Sequence, residues 1–175
     1  MQFCKMNMNK EINYEEIIKK IEELKKGRSF DLSTEEDLAI AIMNLISLEE
    51  HFFFTGAKTD KPEYFDLLIE VRSIRTKLLA KMIDKTEGET WCISKHLLAA
   101  SMRLFEVGTK LQSDNKKDEA KETFEQAYKM FNMFFALRLK IVHVCPVENP
   151  EDKNKPMTMK DIMSKLVDCC DEKQK

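Results

Sequence analysis

The chain is short of helix breakers. Glycine and proline number four each in 175 residues. No proline stands between Pro62 and Pro146, so long helices are free to run there without interruption. Strong charge of one sign is also missing: 29 Lys and Arg against 31 Asp and Glu leave a net charge of -2. That excludes a global basic field, and a nucleic-acid partner is not expected. The five cysteines, at positions 4, 92, 145, 169 and 170, form no CxxC pair. Their odd number points to reduced thiols. The N-terminal "MQFCKMNMNKEINYEE" has no apolar core of signal-peptide length. The densest apolar run, "LAIAIMNLISL" (38–48), is short for a bilayer and is followed at once by Glu49, Glu50 and His51. The expectation is a soluble cytoplasmic protein without membrane association. Gly-rich phosphate loops, G-x-S-x-G elbows and HExxH pairs are all lacking. No cofactor is therefore expected, and the reading leans away from an enzyme.

What is present is an ordinary globular mix, 43% hydrophobic and 34% charged, long enough for one domain with a sizeable core. Apolar residues recur at helical spacing over 13–26, 33–54, 60–84, 90–113, 117–143 and 158–171. Ser33 with Glu36 reads as a capping box for the second segment, and Asp60-Lys-Pro-Glu63 as the opening of the third. No stretch alternates with strand period. The expected fold class is all-α, an antiparallel bundle of about five helices plus a short C-terminal helix. The expected organisation is an N-terminal extension (1–12), a helical bundle (13–144), a Pro-containing linker (145–157), and a short amphipathic helix with tail (158–175).

The most patterned stretch is "LFEVGTKLQSDNKKDEAKETFEQAYKM" (104–130). Leu104, Val107, Gly108 and Leu111 precede a polar turn; Ala120, Phe124 and Ala127 follow it. Gly108 and Ala120 lack bulk, so two helices can cross closely there. Over residues 101–134 these positions resemble a tetratricopeptide hairpin. Asn115 stands where that family usually has a turn glycine, and asparagine is the next-best residue for a left-handed conformation. Asn132 stands where the family has a terminating proline. No second copy follows at the family's period, so a peptide-binding array is not implied.

Candidate sites divide by chemistry. "MFNMFFALRLKIV" (130–142) is apolar nearly all round, as a buried helix or a partner surface would be. Phe131, Phe134, Phe135 and Leu139 are the candidate interaction residues, with Met159, Met163 and Leu166 as a second surface. The expected partner is another protein or a second copy of the chain. Cys92 and His96, four apart on one helix, are the residue types of half a zinc site, against a reading as a buried thiol and an ordinary histidine. Arg138 and His143 resemble the short Arg-x4-His motif of HEPN ribonuclease domains. That resemblance implies RNA cleavage, against a reading of Arg138 as an interhelical ion-pair partner and His143 as a helix C-terminal cap.

Overall fold

A computed structural model describes residues 31–142 continuously, together with 15, 18, 19, 22, 23, 26, 144 and 159. The described residues are all-α, with no strand among them. Four α-helices follow in order: α1 (Leu32–Thr59), α2 (Glu63–Met82), α3 (Gly88–Ser113) and α4 (Lys117–Arg138), with a short 3-10 turn (Lys85–Glu87) before α3. Of the segment 13–26, residues 15, 18, 19, 22, 23 and 26 are described, and all are helical. The expected linker at 145–157 lies outside the described residues.

Several boundaries differ from the sequence reading. Asp31, not Ser33, caps α1: its carboxylate accepts from the Ser33 and Thr34 amides at 3.3 Å each and from the Thr34 hydroxyl at 2.8 Å. A carboxylate two residues earlier reaches both orphan amides, which leaves Ser33 inside the helix. The helix also runs on through Gly56 to Thr59. Gly56 is no breaker there, because the Phe65 ring lies against it: a Cβ on Gly56 would sit 2.9 Å from Phe65 Cε1. Asp60 consequently ends α1 in a left-handed conformation, φ 53°, rather than opening α2.

The ends of α3 and α4 share one device. Asn115 (φ 61°) and Lys140 (φ 55°) are left-handed. The amides just beyond them return to carbonyls five residues back, Lys116 to Leu111 and Ile141 to Ala136, each at 2.9 Å. This is the Schellman closure, which satisfies helix-terminal carbonyls. It stops α4 at Arg138, short of the 143 that apolar spacing alone reaches.

Two antiparallel hairpins result. In the first, Glu49 meets Arg75, and Gly56 meets Phe65. In the second, Ser101 donates to the Ala127 carbonyl at 2.9 Å, and Gly108 meets Phe124. As numbers rise on one helix they fall on the other. The hairpins join mainly through their first helices, α1 on α3. Glu35, near the start of α1, pairs with Arg138 at the end of α4. Since α4 runs against α3, α1 and α3 are parallel.

The shared core lies at one end of this arrangement. It takes Ala39, Ile42 and Met43 from α1, Leu79 and Met82 from α2, Trp91, Cys92 and Leu98 from α3, and Phe134 from α4. These are the starts of α1 and α3 and the ends of α2 and α4.

Candidate functional site: the open end between the hairpins

Of the expected interaction residues, Phe134 is spent on the core, and Phe131 and Phe135 are partly so. Phe134 is 0% exposed, and Phe131 and Phe135 pack against the same cluster. Their rings meet edge-on, with Phe135 5.2 Å from each of the other two. Phe134 is therefore closed to a partner in this fold; the all-round apolarity of its segment reflects burial on more than one side. Leu139 is half-buried at the end of α4. Met159 is helical and 74% exposed. Met163 and Leu166 lie outside the described residues.

Cys92 is buried while His96, one turn on, is exposed, so one faces the core and the other water. Among the described residues no group of three or more His, Cys, Asp or Glu has the geometry to hold a metal ion. Arg138 donates twice to Glu35, Nε to Oε2 at 2.7 Å and Nη2 to Oε1 at 3.0 Å. Both side chains are largely buried. This two-pronged pair pins α4 to α1, and His143 lies outside the described residues.

The apolar surface left over lies elsewhere. Along α1, Ala39, Ile42, Ile46 and Phe53 fall on one helical stripe; along α3, Trp91, Leu98, Met102 and Phe105 do the same. Both stripes enter the core at the starts of their helices. Farther along, the core gives out. Phe53 and Phe105 occupy inward positions yet are each 50% exposed. Phe54 is exposed beside Phe53, their centroids 5.2 Å apart and edge-on. At this end each hairpin closes on itself. Phe65 lies over Gly56 and Phe124 over Gly108, and Phe105 sits 6.2 Å from Phe124. The α1–α2 and α3–α4 tips share no buried residue from the core cluster. Among the described residues, the buried cluster thus lies at one end of the hairpins, and Phe53 and Phe105 are half exposed toward the other, called here the open end.

Two adjacent glutamates mark the boundary. Glu49 turns toward α2, where Arg75 donates to it through Nε at 2.7 Å and Nη2 at 3.2 Å. Glu50 turns toward α3, where Arg103 donates through Nε at 2.9 Å and Nη2 lies 2.6 Å away. The first pair is largely buried and the second exposed. Phe53 follows Glu50 by one turn, and Phe105 follows Arg103 by two residues. The open end thus has an ion pair at its inner limit and aromatic rings beyond it. Sequence reasoning passed over Phe53 and Phe105 because their spacing is that of core residues. The one signal in the sequence was the Glu49-Glu50-His51 interruption of the apolar run just before "FFF".

Helix α1 also has the length and composition to cross a membrane, with 17% of the qualifying stretch buried. A core helix of a soluble protein passes the same test.

Fold and site together define an all-α protein of two parallel-stacked helical hairpins with a one-ended core. No family model, no curated protein and no solved structure matches the chain.

Proposed function

We propose that this protein is a non-enzymatic helical module that takes a protein partner, or a second copy of itself, at the open end of its hairpins. One observation carries this reading: Phe53 and Phe105 sit at inward stripe positions and are half exposed. Aromatic rings flanked by a polar rim are suited to receive the apolar face of an amphipathic helix. We also read the α3–α4 hairpin as tetratricopeptide-like. The close approach of Gly108 to Phe124, the burial of Ala120 and Ala127, and left-handed Asn115 support that likeness. We read the protein as cytoplasmic. The engagement of Glu49 and Glu50 by arginines of α2 and α3 favours an α1 embedded in protein over one in lipid. A ribonuclease role for Arg138 would require it to leave Glu35.

The test compares the wild type with a Phe53→Ser/Phe105→Ser double variant by sedimentation and by cross-linking in cells. Both rings are already half in water, so each substitution should cost only about 1 kcal/mol. The expected outcome is a folded variant that loses self-association or its cross-linked partner set. Unchanged mass together with an unchanged partner set would remove the open end as the interaction surface.

A further inference from the structure

We infer that the exposed face of α2 is a homodimer seam, on which a second copy of the chain docks with its own α2 running antiparallel. This surface is separate from the open end, and the inference does not rest on that reading.

The spacing along α2 comes first. Arg75, Leu79 and Met82 are its buried residues, and it packs mainly on α1. Away from that buried side, Glu63, Leu67, Glu70, Ile74, Lys77 and Lys81 follow one another in steps of four and three, so they form one stripe of coiled-coil spacing. All six are exposed. Leu67 is 42% and Ile74 46% exposed. Two exposed apolar residues would be ordinary on any surface; the charges around them are not.

On this stripe and its edge the acids Glu63, Asp66 and Glu70 stand first, and the bases Lys77 and Lys81 follow. Arg72 lies about half a turn around the helix from Glu70. Asp66 and Glu70 are like charges four apart, and so are Lys77 and Lys81, an arrangement that weakens the helix by itself. None of these four makes an ion pair with another described residue. The helix dipole accounts for Glu63, Asp66 and Lys81, which stand in the terminal turns. Glu70 and Lys77 lie farther in, where that effect has faded.

A second copy turned end for end answers the pattern. Glu70 and Lys77 lie about 5 Å to either side of the midpoint between Ser73 and Ile74, and Asp66 and Lys81 about 11 Å. A two-fold axis at that midpoint sets Glu70 of each copy opposite Lys77 of the other, and Asp66 opposite Lys81. Ile74 then meets its own counterpart, and the Lys81 stem covers Leu67. A parallel pairing would set each charge against itself. The net charge of -2 adds little repulsion between whole molecules.

The test is sedimentation equilibrium of the full chain from micromolar to millimolar concentration, with circular dichroism to follow folding. The expected result is a monomer–dimer equilibrium. Glu70→Lys and Lys77→Glu each place two like-charge pairs across the seam, and each should weaken the dimer by roughly tenfold or more. Both positions are exposed, so the fold should tolerate either change. The double variant Glu70→Lys/Lys77→Glu should restore the dimer, and so should an equimolar mixture of the two single variants, which pairs Lys with Glu at both levels. Phe53→Ser/Phe105→Ser should leave it in place. A wild type that stays monomeric throughout overturns the inference. So does a dimer insensitive to both single variants, or one that neither the double variant nor the mixture restores. A dimer lost with Phe53 and Phe105 and indifferent to Glu70 and Lys77 seats the second copy at the open end; that outcome removes this inference and keeps the earlier reading.

Discussion

Glu49 and Glu50 are neighbours in the chain, and a single 100° step of the helix sends them to different helices with different consequences. Arg75, opposite Glu49, is 1% exposed. A guanidinium is stabilised there by a carboxylate that takes two of its donors. Removing one partner strands a buried charge. Arg75→Ala should therefore lower stability by about 3–5 kcal/mol in urea unfolding. Arg103→Ala, at a pair open to water, should cost less than about 1 kcal/mol. Equal losses at the two sites would mean that burial is not what separates them. Among the described residues the fold also places L-residues at three left-handed positions, Asp60, Asn115 and Lys140. Asn115 was legible as such from its place in the turn. Lys140 was not, because lysine carries no left-handed preference and its conformation follows from where α4 has to stop.

At the scale of elements, each hairpin is closed by a glycine on its first helix under a phenylalanine of its second. A Cβ on Gly108 would lie 2.6 Å from Phe124 Cε1, closer than real contacts allow. Alanine in a helix normally gains about 1 kcal/mol over glycine. Here overpacking opposes that gain by about 1–3 kcal/mol. Gly108→Ala should leave stability unchanged or reduced, whereas Gly108→Ala in a Phe124→Leu background should recover the propensity gain. Thermal melts of the wild type, both single variants and the double variant check this, and a stabilised Gly108→Ala single variant would show that the ring moves aside freely. The Gly108–Phe124 hairpin was readable from small-residue spacing. Its Gly56–Phe65 counterpart was not, because "TGAKTD" looks like a loop until Phe65 is seen to fill the space that a side chain on Gly56 would need.

For the whole molecule, the one-ended core makes two classes of phenylalanine. Phe134 is fully buried among residues of all four helices, and Phe134→Ala should cost about 3–5 kcal/mol. Phe53→Ala should cost far less, since half of that ring already meets solvent. Denaturant midpoints for the two variants would separate them, and a comparable loss at Phe53 would mean that the open end is closed in solution.

The sequence by itself determined the helical class, the rough extent of the four described helices, and the close crossing of the second hairpin. These follow from local spacing, scarce helix breakers and small residues, all of which act within a few turns. Tertiary structure alone decided which apolar residues are core and which are surface. Phe134 and Phe53 read alike in the chain, because an apolar stripe does not show where its covering helix ends. The difference arises because α1 and α3 share one buried core where they begin, while past Glu50 and Arg103 the side chains Phe53 and Phe105 are half exposed. That is a property of how two hairpins dock, and it is written in no single helix.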